Sequence, residues 1–176
     1  ITHVAAGYQR SCAIGSLGSI WCWGGAMTTP TLLKDRNGVD IGGAKALAMG
    51  YVHSCFIDAT TAVQCWGDNS GNQLGQGAAT VYSSPVVVQA AAGPLTDVVG
   101  LAAGDFHTCA LKFNGDVVCW GQGPIGDGTE SAARAVALAV TGATAIGSGA
   151  GHVCAAMAAG GVKCWGANDK GQLGNM

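Results

Sequence analysis

A two-part element occurs four times along the chain, and this repetition constrains the fold more than any other feature. The first part reads x-Gly-x-x-[His/Arg]-x-Cys, and the second part reads Cys-Trp-Gly. The copies recur at intervals of 43, 54 and 45 residues, but in every copy the two cysteines are ten positions apart. The four pairs are Cys12 and Cys22, Cys55 and Cys65, Cys109 and Cys119, and Cys154 and Cys164. The interior of the repeat is therefore fixed, and the connections between copies vary.

The constant spacing of the cysteines predicts a β-hairpin in each copy. Two antiparallel strands joined by a short turn place residues of constant index sum opposite each other, with Cβ atoms about 4.5 to 5.5 Å apart. A small closing of that gap permits a disulfide. Turn-forming residues lie between the cysteines, such as Asn114-Gly115 and Gly160-Gly161, while 58–61 is the weakest turn. Eight cysteines could pair in many ways, and the repeat selects the pairing within each copy, which leaves no cysteine spare.

Disulfides persist in oxidising compartments, so we expect the chain to be extracellular, at the cell surface or periplasmic. An alternative use of the cysteines is zinc binding, since His53, His107 and His152 each lie two residues before a cysteine. No Cys-x-x-Cys pair accompanies these histidines. We therefore expect neither a metal nor another cofactor.

The composition favours a turn-rich β protein, because the chain has 30 glycines, four prolines and only 10% charged residues. The second copy supplies four short strands, near 46–48, 53–57, 62–66 and 85–89, separated by Gly-rich segments. Four short strands in each unit are typical of a β-propeller blade. The prediction is an all-β, partial β-propeller forming a single domain over residues 1–176, with repeats at approximately 1–43, 44–97, 98–143 and 144–176.

The repeats closely resemble the regulator of chromosome condensation repeat family. Its signature reads Ala-Gly-x-x-His-[Ser/Thr] on one strand, then a Trp-Gly strand end, then a Gly-Gln-Leu-Gly loop. That loop stands as Gly71–Gly75 in the second copy and Gly171–Gly174 in the fourth, is degenerate at 121–126 in the third, and is lost at 24–30 in the first. The resemblance implies a β-propeller, usually of seven blades. Cysteines paired within the blade look like the secreted branch of the family rather than the nuclear one.

The four repeats account for about half of such a ring. An open half-ring would expose strand edges and apolar blade faces, so we expect further blades of the same chain, or another chain, to complete it. The sequence starts at Ile1 without a charged and apolar leader, as expected if a signal peptide has been removed or if the segment belongs to something larger.

Several classes of function are disfavoured by the sequence. Eight basic and ten acidic residues, thinly spread, give no basic stripe for nucleic acid. The apolar runs are shorter than the roughly 20 residues of a membrane helix. The sequence contains no catalytic motif and no close carboxylate pair that would indicate an enzyme. A light-sensing role, known for one propeller of similar fold, would need tryptophans where this chain has Tyr8, Tyr51, Asp105 and Ala150.

The tryptophans and histidines repeat from copy to copy, which indicates structural roles. Each Trp of Cys-Trp-Gly points away from the cysteine beside it and suits packing between blades. The histidines are expected to hydrogen-bond backbone in their own turn or in the neighbouring blade. Trp21 stands outside the pattern and shares a face with Trp23 by alternation, so these two residues are the candidate platform for a stacked ligand such as a glycan.

The favoured function is a non-enzymatic extracellular scaffold that binds protein partners, as part of a surface assembly or filament. Only 18 of 176 residues are charged, which suits a surface covered by neighbours. One alternative is a carbohydrate-binding propeller that uses Trp21 and Trp23. The other is an inhibitor of a secreted enzyme, which one branch of similar propellers performs.

Overall fold

The structure is a computed structural model that describes residues 1–77, 81–123, 125–129 and 131–175 of the chain. All regular secondary structure in these ranges is β-strand. None of the described residues belongs to a helix that is long and apolar enough to cross a membrane. The prediction of an all-β protein is confirmed.

The strands form four sheets that follow one another along the chain. The first two sheets each contain four antiparallel strands in sequence order. The first comprises β1 (His3–Ala6), β2 (Arg10–Ile14), β3 (Ile20–Gly24) and β4 (Met27–Leu32). The second comprises β5 (Ala46–Met49), β6 (His53–Ile57), β7 (Val63–Gly67) and β8 (Tyr82–Val87).

The third and fourth sheets depart from this plan. In the third, a small hairpin of β9 (Gln89–Ala90) and β10 (Gly93–Pro94) extends the outer edge through a parallel pair between Ala90 and Ala135. The hairpin precedes the four main strands of that sheet, β11 (Val98–Ala103), β12 (His107–Lys112), β13 (Val117–Gln122) and β14 (Ser131–Ala137). The fourth sheet has three strands, β15 (Ala143–Ser148), β16 (His152–Met157) and β17 (Val162–Gly166).

The strands predicted for the second copy agree with the structure except for the last one. A strand was expected over 85–89, whereas β8 covers Tyr82–Val87 and therefore contains Pro85. The register between β7 and β8 shifts opposite Cys65 and Gly67, so Pro85 lies in a stretch that is not in the regular ladder. β8 is also an edge strand, where a missing N–H is tolerated. Gln89 belongs instead to the hairpin that joins the next sheet.

The four sheets are the blades of a partial β-propeller, numbered 1 to 4 below. The first strands of successive sheets contact one another, β1 with β5, β5 with β11 and β11 with β15, so they lie innermost. The later strands of each blade lie progressively farther out. The turn after each first strand therefore lies near the axis at one end of the propeller, which we call the turn face.

Three apolar cores lie between neighbouring blades and hold the fold together. Alternation along each strand sends the disulfide to one face of a blade and the Trp of Cys-Trp-Gly to the other. The disulfide face packs against the following blade and the Trp face against the preceding one. The three cores combine Cys12–Cys22 with Trp66, Cys55–Cys65 with Trp120, and Cys109–Cys119 with Trp165. The apolar face of each blade is thus buried against the neighbouring blade.

The outer faces of blades 1 and 4 have no neighbouring blade within this chain. Val4 and Trp21 on blade 1 are 74% and 39% exposed, and Val162 on blade 4 is 66% exposed. In the inner blades the corresponding faces are buried. The apolar end faces expected of an open half-ring are present.

Candidate interaction surface

The four disulfides join cysteines that lie directly opposite each other in the central hairpins. In the antiparallel registers Cys12 faces Cys22, Cys55 faces Cys65, Cys109 faces Cys119 and Cys154 faces Cys164. The Cα atoms of each pair are 4.1 Å apart, and none of the described cysteines is free. These are the pairs that the repeat predicts. The disulfide therefore fixes the register of each hairpin, whichever residues form its turn.

The loops after the Cys-Trp-Gly strands of blades 2 and 3 receive the tryptophan of the following blade. Trp120 is fully buried, and its Nε1 donates a hydrogen bond of 2.8 Å to the carbonyl oxygen of Gln73. A Cβ atom on Gly75 would lie 3.0 Å from Trp120 Cδ1, and one on Gly126 would lie 2.6 Å from Trp165 Cδ1. Glycine is thus required where the loop closes over the indole. The packing role predicted for the repeated tryptophans is present at the three junctions within the chain.

Trp21 and Trp23 lie on the outer face of blade 1. Trp21 is 39% exposed and Trp23 is half-buried. Trp23 occupies the repeat position of Trp66, Trp120 and Trp165, each of which packs on the preceding blade. The position of Trp23 therefore suits a preceding blade, while stacking of a glycan on this pair stays a prediction.

The repeated histidines form hydrogen bonds to the next blade through side chains. His53 Nε2 lies 2.7 Å from Thr108 Oγ1, and His107 Nε2 lies 2.9 Å from Ser148 Oγ. The neighbouring blade was anticipated as a partner, but the acceptor or donor is a hydroxyl and not backbone. Burial lowers the pKa of His53 to about 4 and also lowers the pKa of His107. These imidazoles are therefore neutral links between blades near neutral pH.

The turn face carries a row of three exposed aromatic side chains, Tyr8, Tyr51 and Phe106, which we call the aromatic row. The rings of Tyr8 and Tyr51 stack with centroids 4.3 Å apart, and Tyr51 and Phe106 are 5.9 Å apart in a tilted arrangement. The three side chains are 63%, 40% and 41% exposed. Aromatic side chains grouped on a surface are typical of protein-binding sites.

Backbone contacts between neighbouring turns hold the aromatic row in place. The N–H of Tyr51 donates to the carbonyl of Asp105, and the N–H of Asp105 donates to that of Ala150. A Cβ atom on Gly50 would lie 2.4 Å from the carbonyl oxygen of Gly104 and 2.3 Å from His53 Cε1. The glycine therefore admits both the neighbouring turn and the imidazole. A small cavity of about 290 Å³ lies among these turns.

A larger groove of about 990 Å³ opens beside the aromatic row between blades 1 and 2, and we call it the first groove. Tyr8 and Tyr51 form part of its rim. Its walls include Arg10 and Met27 from blade 1 and Trp66 and its neighbours from blade 2. The aromatic row and the first groove therefore form one continuous surface on the turn face.

The loops that follow β7 and β17 are rich in Asn and Asp and are organised by their own hydrogen bonds. Asp68 Oδ1 accepts from the backbone N–H of Ser70, and Asn69 and Asn168 accept from the N–H groups of Leu74 and Leu173. The hydrogen bond from the Ser70 hydroxyl lowers the pKa of Asp68. Within the described ranges, no group of three or more His, Cys, Asp or Glu side chains could hold a metal ion.

The family of the repeats follows from their sequence. Residues 98–124 and 143–172 match the sequence model of the Regulator of chromosome condensation (RCC1) repeat. Each matched segment starts at the first strand of a blade and extends past its Cys-Trp-Gly strand. These two segments, in blades 3 and 4, are RCC1 repeats. Blades 1 and 2 have the same hairpin, disulfide and tryptophan at the same strand positions. No curated protein sequence matches the chain.

Solved structures show the same propeller fold at low sequence identity. Human WBSCR16 matches with a TM-score of 0.85 at 22% identity, over 98% of this chain and 49% of its own. Prp20p from Saccharomyces cerevisiae matches with a TM-score of 0.72 at 23% identity, over 97% of this chain and 44% of its own. The chain thus spans about half the length of these relatives or less.

Sequence reasoning did not find the aromatic row. Tyr8 and Tyr51 were considered only as replacements for tryptophan, and Phe106 lies one position later in its copy. Their common signal is an aromatic residue within two positions of the repeated glycine in three successive copies. The first groove was signalled by the lost loop of the first copy, but its extent depends on the walls of blade 2.

Proposed function

We propose that the chain is part of a non-enzymatic extracellular scaffold that binds a protein partner through its turn face. The observation that carries the proposal is the aromatic row, where three aromatic side chains remain exposed on a fixed backbone. Rigid aromatic side chains contribute large contact area at low entropic cost and dominate binding energy at many interfaces. The four disulfides support an oxidising compartment.

Relatives of similar fold are consistent with a role in protein binding. The yeast RCC1 protein Prp20 has been crystallised bound to Kap60, and its binding to Gsp1p and histones has been described. Those partners belong to that protein. What carries over to this chain is the use of a propeller as a surface for other proteins.

The test compares two exposed phenylalanines on the intact protein. Phe106 belongs to the aromatic row, whereas Phe113 is 85% exposed at the turn between β12 and β13, away from the row. Immobilised wild-type protein and the variants Phe106→Ser and Phe113→Ser are exposed to extracellular proteins of the source organism. We expect a retained protein whose affinity falls about 30-fold with Phe106→Ser and is unchanged with Phe113→Ser. Equal retention by both variants would exclude the row as the contact surface.

The expected compartment is tested on the same protein without purification under reducing conditions. Alkylation of protein taken directly from its source should modify none of the eight cysteines, because each is paired. Modification of the cysteines in freshly isolated protein would place the chain in a reducing compartment.

A further inference from the structure

The junction between blades 2 and 3 shows which groups fill the space between two neighbouring blades. The connection after β7 folds back over blade 3, and Leu74 is fully buried in the core between blades 2 and 3. The carbonyl oxygen of Gln73 accepts the hydrogen bond from Trp120 Nε1. An aliphatic side chain and a backbone carbonyl from the loop therefore complete this junction.

The same connection rests on four wall positions of blade 3. A Cβ atom on Gly71 would meet the side chain of Gln122, and Asn72 Nδ2 lies 3.4 Å from Ser131 Oγ. The N–H of Gly77 donates to the carbonyl of Ala133. Together with Trp120, these contacts define the walls that receive the loop: Trp120, Gln122, Ser131 and Ala133.

The first groove is formed by the equivalent wall positions of blade 2. Gly121 pairs with Ala132 in blade 3, and Gly67 pairs with Tyr82 in blade 2, which aligns the two sets of walls. By this alignment, the residues equivalent to the four wall positions all line the first groove: Trp66, Asp68, Val81 and Ser83. The groove therefore occupies the space that the Gln73-Leu74 loop fills at the next junction.

Blade 1 has no loop to place in this space. Its strands β3 and β4 are joined directly through Gly25 and Ala26, whereas residues 68–81 separate β7 from β8. Trp66 lines the groove, and no residue that the structure describes accepts a hydrogen bond from its Nε1. The indole N–H of Trp66 thus lacks a carbonyl acceptor like the one to which Trp120 donates.

Arg10 gives the first groove a positive charge. It occupies the repeat position of His53 and His107 but is exposed, and its side chain runs over Gly25. The ion pairs formed within the described part of the chain do not include Arg10. Asp68 on the opposite wall is held by hydrogen bonds from Ser70 and Gln73. A carboxylate on an incoming ligand would therefore find its complement at Arg10.

We propose that the first groove binds a peptide turn of a protein partner that supplies what blade 1 lacks. The turn places a branched aliphatic side chain against Trp66 and Met27, a backbone carbonyl on Trp66 Nε1 and a carboxylate beside Arg10. This inference rests on the proposed function as a protein-binding scaffold and assigns the site and the chemistry of the bound segment.

The probe is a cyclic peptide with the sequence of the chain's own second loop, Asp-Asn-Ser-Gly-Asn-Gln-Leu-Gly-Gln. It is titrated into the intact protein while the indole N–H signals of the tryptophans are followed by NMR. The Trp66 signal is identified by its disappearance in Trp66→Phe. We expect this signal to shift and saturate with a Kd of about 1 mM or lower. The same peptide with alanine in place of leucine should bind at least about tenfold more weakly.

Two variants and one control decide the outcome. Trp66→Phe, followed through the NMR signals of the peptide itself, should weaken peptide binding about fivefold through the lost hydrogen bond. Arg10→Gln, a change to an exposed side chain, should weaken it about threefold. Equal binding of the leucine and alanine peptides, or no shift of Trp66, would overturn the proposal. Phe106→Ser lies outside the groove and should leave peptide binding unchanged. If the peptide does not bind while Phe106→Ser still weakens partner binding, only the assignment of the groove is wrong. If the peptide binds as expected while Phe106→Ser leaves partner binding unchanged, only the assignment of the aromatic row is wrong.

Discussion

Acidification from pH 6.5 to pH 4 is expected to destabilise the propeller, because His53 must take up a proton in a buried junction between blades. His53 is 2% exposed, and burial lowers its pKa from 6.5 to about 4. The nearby imidazole of His107 acts in the same direction and the charge of Asp68 in the opposite one. Nδ1 has no hydrogen-bond partner among the described residues, so a proton there would be an unsatisfied buried donor.

The sign and size of the effect follow from the two pKa values. The unfolded chain binds a proton below about pH 6.5 and the folded one only below about pH 4, so protonation favours the unfolded state. The contribution of His53 to stability is complete above pH 6.5 and is lost as the pH falls to 4. The total loss is about 3 kcal/mol, and most of it is reached by roughly pH 4.5.

The assay is chemical denaturation at roughly pH 7.5 and 4.5, for wild type and His53→Gln. Glutamine can still hydrogen-bond to Thr108 but does not titrate. The wild type should lose about 2 to 3 kcal/mol more than the variant on acidification. His3→Gln, which removes an exposed imidazole, is the matched control and should behave as wild type. An identical loss of stability in wild type and His53→Gln would refute the reasoning.

Two further predictions concern the hairpins and the loop that closes over the indole. Replacing both Cys55 and Cys65 by alanine should lower the free energy of unfolding by about 2 to 3 kcal/mol, because a short closed loop is lost from the unfolded chain; denaturation unchanged from wild type would contradict this. Gly75→Ala should cost about 2 to 4 kcal/mol, since φ is +63° and the new Cβ would lie 2.8 Å from Val88 Cγ1. Gly174→Ala has a φ of +69°, and none of the described residues would lie within 4 Å of the new Cβ, so about 1 kcal/mol is expected; equal costs for the two would show that another blade covers Gly174.

The repeated parts of the fold were predictable because they depend on strand alternation. A cysteine spacing of ten fixes which residues face each other across the hairpin, so the disulfide partners follow from the sequence. Alternation also places Trp66 and Trp120 on the face opposite the disulfide, where a preceding blade packs. These inferences need only local geometry.

The features that were missed depend on contacts between different segments. The turn at 58–61 was judged weak, yet Asp58 Oδ1 accepts from the N–H groups of Thr60 and Ala62, and Thr61 adopts a φ of +69°. The hairpin at 89–94 joins blade 3 through a single pair, which no local pattern indicates. The stacking of Tyr8 on Tyr51 requires knowing how closely neighbouring turns approach.

The differences between copies locate binding more sharply than their similarities. Positions that repeat in every blade are used in packing, so a specific site must lie where the copies differ. The tyrosines that follow the repeated glycine occur only in blades 1 and 2, at Tyr8 and Tyr51. The junction without a loop also lies between blades 1 and 2, and both tyrosines form part of its rim. Two independent departures from the repeat therefore converge on one edge of the turn face, which is where a partner should make its most specific contacts.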